Sequence, residues 1–133
     1  MLNLKKYILV GLLIFPLSLL AQEKTCCASE KEVETTLSGY WKIKNDDSKS
    51  LYHYWFKHDR GNVETVETSE TIGELIPVEK SHSYIYIKRE NDVFILEYIY
   101  RYGNWTSTIK LLDENNLVLE TNGETTAYYK VKY

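Results

Sequence analysis

Cysteine is scarce in this chain of 133 residues: it has two, and they stand side by side as Cys26 and Cys27. A disulfide stabilises chiefly by closing a long loop of the unfolded chain, so adjacent cysteines cannot staple distant strands. The fold must therefore draw its stability from a packed core, with the thiols either paired between molecules or free in a mobile tail. A basic excess is also missing. Sixteen lysines and arginines against 19 acidic side chains give a net charge of −3, which leaves no cationic footprint for nucleic acid or an anionic membrane surface. From Leu37 onward no run of ten residues keeps a helical period. The chain has no HExxH, no CxxC pair and no phosphate-cradling glycine loop, and nothing resembles a GxSxG elbow. His53, His58 and His82 are too few and too scattered for a metal site; His53 and His58, five positions apart, face opposite ways on a regular strand. No catalytic group, metal or cofactor is expected.

What is present begins with Met1 to Lys6, which carries two lysines, followed by the uncharged stretch Tyr7 to Ala21. Fifteen residues fall short of the roughly 20 that a bilayer-spanning helix needs. Residues 1–21 read as a secretory signal peptide, so the mature chain is expected to be exported, periplasmic or extracellular, without a transmembrane segment. Lipid anchoring at Cys26 is disfavoured, because Glu23, Lys24 and Thr25 do not offer the apolar and small residues that a lipid-attachment site places ahead of its cysteine. Without Lys5 and Lys6 the remainder carries 14 basic against 19 acidic side chains, a net charge of −5. Residues 22–36, with EKEVETT, show no apolar period and read as a flexible leader.

From Leu37 to Tyr133 the pattern changes to short runs rich in Tyr, Ile, Val and Thr, separated by NDDSKS, HDRGN, KREND, RYGN, DENN and TNGE. That is the pattern of strands joined by tight turns. Strands are expected at 39–45, 51–58, 63–69, 73–79, 82–88, 93–101, 105–112, 116–121 and 125–132. Pro77 cannot donate to a ladder, which makes its segment an edge, a bulge or no strand. Trp105, Ser107, Ile109 and Leu111 share one face of their strand. In the last strand Ala127, Tyr129, Val131 and Tyr133 oppose Thr126, Tyr128, Lys130 and Lys132. Eight or nine antiparallel strands in one domain, 37–133, must dispose of two outer edges. Closing into a barrel removes both and leaves an interior wide enough for side chains or one small ligand.

TLSGYWKIK opens the first strand, with Gly39 two residues before Trp41. This pairing resembles the small bacterial lipocalin-like domains of the calycin type, as do YHYWFKHDRGNV as a second hairpin and ENNLVLETNGETTAYYKV as a closing one. The resemblance covers residues 37–133. It implies an all-β, antiparallel up-and-down barrel of eight to nine strands, with Trp41 plugging the floor where Gly39 gives the backbone freedom to bend. It also implies a basic side chain packed across the tryptophan; Lys130 or Lys132 stands where the family often has arginine, and lysine lacks the planar guanidinium that stacks on an indole.

Aromatic residues supply the candidate site. Behind Ala21 the chain keeps eleven tyrosines, three tryptophans and two phenylalanines. The strand 93–101 sets Phe94, Leu96, Tyr98 and Tyr100 against Val93, Ile95, Glu97 and Ile99; if the aromatic set faces inward, Glu97 lies outside in solvent. Tyr52, Tyr54 and Phe56, beside Tyr84 and Tyr86, could build a cage that is apolar in body and polar at its tips, or the rings could fill the barrel. The expected ligand-binding set is Tyr54, Phe56, Tyr86, Tyr98, Tyr100, Trp105 and Tyr129. The expected function is binding of a small apolar or amphipathic molecule without catalysis. The alternative is an envelope-associated module with a filled core, whose outer surface engages or inhibits a protein partner.

Overall fold

A computed structural model describes residues 26–58, 60–69 and 73–132. Residues 1–21, read from sequence as a signal peptide, lie outside the described residues. The first element is a helix, α1 (Glu30–Leu37), where the sequence reads as a leader. Its signal is short but present. Ser29 takes an extended backbone and its Oγ accepts a hydrogen bond from Glu32 N at 3.2 Å, while Glu32 Oε2 accepts from Ala28 N at 3.1 Å. Ser29 thus satisfies one orphan donor of the first turn, and Glu32 of the Ser-x-x-Glu spacing reaches back to the residue ahead of the cap. Val33 and Leu37, four apart, form its buried face, and two apolar residues are too few to register as a period. Leader structure is thus corrected over 30–36. The two cysteines are bonded to each other, and Cys27 packs against the core.

Nine strands follow: β1 (Gly39–Ile43), β2 (Ser50–Lys57), β3 (Arg60–Thr68), β4 (Leu75–Pro77), β5 (Ser83–Glu90), β6 (Val93–Tyr100), β7 (Gly103–Leu112), β8 (Asn116–Thr121) and β9 (Glu124–Val131). Every pairing is antiparallel. Eight strands run β1-β2-β3-β5-β6-β7-β8-β9, and β9 returns to β1 with Trp41 opposite Lys130. The ring is closed, so no barrel strand is left with an open edge over its paired length. β4, the Pro77 segment, pairs only with the end of β3 and stands outside the ring.

The interior divides in two. Toward α1, Leu37, Trp41, Ile85, Leu96, Leu112 and Leu117 are fully buried. Trp41 Nε1 donates to Leu37 O at 2.7 Å, so the indole that plugs the floor is also tied to the end of the helix beneath it. Lys130 Nζ lies 5.2 Å from the Trp41 ring centroid and donates to Thr36 O at 3.0 Å. Burial lowers the pKa of this lysine. Gly39 answers a steric demand: its φ is +129°, and a Cβ there would sit 2.9 Å from Lys130 Cε.

One expected face is corrected in β7. The register shifts between Ile109 and Leu111, so that Leu112, not Leu111, takes the buried position. A bulge inserts one residue and reverses the alternation behind it. Glu97 lies outside, ion-paired with Lys88 across β5 and β6, while Phe94, Leu96 and Tyr98 point into the core.

Candidate ligand cavity

Above the aliphatic floor the inward positions become hydroxylated. β2 supplies Tyr52 and Tyr54, β3 Val63 and Thr65, β5 Ser83, β6 Tyr98 and Tyr100, β7 Trp105 and Ser107, β8 Leu119 and Thr121, and β9 Thr126 and Tyr128. Together with Glu64, Lys80 and Ser81 they line a cavity of about 420 Å³. This lies within the range of small-molecule sites, roughly 300–1,000 Å³. The barrel is thus plugged at one end and hollow at the other.

Rings make the walls, and their tips carry the polar atoms. Tyr98 stacks on Trp105 with centroids 5.1 Å apart and planes 10° from parallel. Tyr100 meets Trp105 edge-on at 6.3 Å, and Tyr52 meets Tyr128 edge-on at 5.8 Å. Deeper in, the Tyr54 and Tyr98 hydroxyls are 3.2 Å apart, and Ser107 Oγ lies 2.6 Å from Thr121 Oγ1. Burial pushes the phenols of Tyr52, Tyr54, Tyr98 and Tyr128 above their ordinary range, that of Tyr54 furthest from solvent. These hydroxyls stay neutral at physiological pH and can donate as well as accept. Tyr100 Oη donates to Lys80 O, which ties the β6 rim to the loop before β5.

Of the seven ligand residues expected from sequence, Tyr54, Tyr98, Tyr100 and Trp105 line this cavity. Three do not. Phe56 points inward but packs toward the floor near Gly61 and Ile85, below the cavity. Tyr86 and Tyr129 are on the outer face, 37% and 40% exposed. In β5 the inward residues are Ser83 and Ile85, which sends Tyr84 and Tyr86 outward and removes them from the expected cage. In β9 Thr126 and Tyr128 face inward, and Tyr129 pairs outward opposite Lys42. Tyr52, expected in the cage though not in the set of seven, lines the cavity as well; the missed residues are Tyr128 and the Ser/Thr set. A signal for Tyr128 lies in the sequence, since Lys130 and Lys132, either of which is expected across the tryptophan, share its face.

No family model and no curated protein matches the chain. Among solved structures it is similar to a lipocalin-like protein from Bacteroides uniformis ATCC 8492, at 13% identity with a TM-score of 0.45, covering 72% of this chain and 99% of that one. The decisive observation is in the chain itself: eight antiparallel strands in up-and-down order close on a floor made by Trp41, with Lys130 across its ring. The barrel is lipocalin-like. In a lipocalin-like barrel the hollow end is the one place where a guest can be enclosed without breaking the ladder.

Proposed function

We propose that this chain is an exported, non-catalytic carrier that holds one small, uncharged, amphipathic molecule in the hydroxyl-lined half of its barrel. The observation that carries the reading is the 420 Å³ cavity bounded by Tyr54, Tyr98, Trp105 and Tyr128, with polar tips and apolar ring faces. Two ionisable chains, Glu64 and Lys80, lie at opposite signs among its lining residues, which gives no net charge to select an ion. Export rests on the lysine-led apolar stretch from Met1 to Ala21.

The test is a titration of the purified protein with neutral amphiphiles, Nile red first, followed by tryptophan quenching. Trp105 stands in the cavity wall, while Trp41 is sealed in the floor. Saturable one-to-one quenching in the native chain is expected, and Nile red's own emission, which needs no tryptophan reporter, should give an at least tenfold weaker Kd in Trp105→Ala, which removes a stacked ring worth about 1.4 kcal/mol or more with its buried area. Absence of saturable binding across a broad panel of neutral lipids and metabolites would turn the assignment to the outer surface.

A further inference from the structure

The outer face from β1 and β2 across β3 to the start of β5 carries a continuous row of rings. Tyr40 stacks on His53 at 4.2 Å, His53 on Trp55 at 4.8 Å, Trp55 approaches His82 at 5.8 Å, and His82 meets Tyr84 edge-on at 4.8 Å. None of these belongs to the barrel cavity. His82 is further fixed by a 2.9 Å hydrogen bond with Asn62 Oδ1. Two hollows open on either side of Tyr84. One, of about 420 Å³, is lined by Trp55, Lys57, His58, Arg60, Asn62 and Tyr84. The other, of about 530 Å³, is lined by Lys80, His82, Tyr84, Ile99, Tyr100 and Arg101.

Their charge runs against that of the chain. Among the described residues no carboxylate lines either hollow, and no described carboxylate pairs with Lys57, Arg60, Lys80 or Arg101; Asp59, between His58 and Arg60 in sequence, lies outside the described residues. Lys57 and Arg60 are directly opposed across β2 and β3, and like charges in that position destabilise a sheet. Arg60 instead lies over the Tyr84 ring, its guanidinium carbon 4.7 Å from the centroid. Local cations and ring faces thus alternate along one side of a molecule whose formal charge is −3.

We propose that this face is a second, external binding site for an acidic polysaccharide. The C–H face of a pyranose lies flat on an aromatic ring, and its carboxylate can be met by an arginine or lysine beside that ring. Two cationic hollows sharing Tyr84 as their common wall fit successive acidic sugars of one polymer better than one compact anion. The shape argues for a chain lying across the strands rather than a protein's apolar patch, because rings and cations are interleaved along it.

The experiment is affinity electrophoresis and calorimetry of the full chain with polygalacturonate, alongside neutral dextran and a single-stranded oligonucleotide. Polygalacturonate should retard the native protein, and dextran should not. Arg60→Ala and Arg101→Ala, both at the surface, should each weaken binding about three- to fivefold. The pair together should weaken it roughly tenfold or more, and raising the salt to 0.5 M should weaken it in the native chain. Nile red binding in the barrel should be unchanged in both variants, which shows that they fold and separates this site from the cavity. No retardation by polygalacturonate, equal retardation by dextran, retention of the oligonucleotide alone, or unchanged binding in the double variant would each overturn the proposal.

Discussion

At the scale of single residues the barrel interior departs from the rule that the more apolar set faces inward. In β9 the set Ala127, Tyr129 and Val131 is the greasier one, yet Thr126, Tyr128 and Lys130 take the interior. Two local needs account for it: the floor requires a cation over Trp41, and the cavity above requires hydroxyls. In β5 the aliphatic set does face inward, with Ile85 buried, Ile87 packed against the core and Ser83 buried on the same face, while Tyr84 and Tyr86 are exposed; there the expectation erred by favouring rings over aliphatics. Alternation therefore located the strands in the sequence, but the side expected to line the barrel was wrong in β5 and β9, where Tyr86 and Tyr129 face outward, and right in β7, where Trp105 and Ser107 line the cavity. In β6, where the inward set is both apolar and aromatic, it chose the right one. The buried phenols give a pH signature. Their folded pKa values are raised above the unfolded value of 10.0, so their contribution to stability is complete below about pH 10 and is lost as pH rises beyond it. Each such group adds up to about 1.4 kcal/mol of loss per pH unit. Urea midpoints should stay level from pH 7 to pH 9 and fall above pH 10. Tyr54→Phe should cost about 1 kcal/mol at pH 7 through the lost hydroxyl pair with Tyr98, and its decline above pH 10 should be shallower than that of the native chain.

At the scale of elements, the strands were legible because most are bounded by a turn cluster, and the Pro77 segment, which has none on either side, was marked as an outlier by its missing donor. The helix was missed, its sequence signal being confined to Ser29 and Glu32 at its start. α1 holds eight residues with two buried side chains, and what makes it helical is mostly tertiary: Leu37 fills the floor and its carbonyl receives the Trp41 indole. Leu37→Ala should therefore destabilise the whole barrel by about 2–5 kcal/mol, the range for a leucine fully buried in a core. Chemical denaturation would measure this, and a loss below about 1 kcal/mol would show that the helix only caps the barrel loosely. Gly61 was read as part of a turn, HDRGN, but it lies within β3, opposite Phe56 on one side and Ile85 on the other. A Cβ there would come within 2.4 Å of Ile85 Cγ1 and 2.7 Å of Ile85 O. The second contact is backbone and cannot swing away, so Gly61→Ala should cost about 3 kcal/mol or prevent folding, at or beyond the usual overpacking range. Gly123, with open space around it, is the control position: its φ of +81° leaves only the left-handed backbone penalty of roughly 1–2 kcal/mol for alanine.

For the molecule as a whole, the unequal filling of the two ends is what turns a stable barrel into a container. The floor half is packed by leucines, Ile85 and Trp41 and closed from below by α1. The other half trades packing for a lined space of about 420 Å³. Stability and binding should then be separable by one substitution. Ser83 is buried on the cavity wall, so Ser83→Phe would send a ring into the empty half without displacing a floor side chain. In a core already packed to native density the same change would cost about 1–3 kcal/mol. Here the added ring buries apolar area against Tyr54, Tyr98 and Leu119, and the melting temperature should hold or rise. Nile red binding should meanwhile fall by at least tenfold, because guest and phenyl ring compete for one volume. Polygalacturonate binding on the outer face should be retained, since Ser83 points away from it. A variant that melts several degrees lower and binds Nile red as before would mean that the space is taken up by the protein itself in solution, and that the neutral amphiphile sits elsewhere.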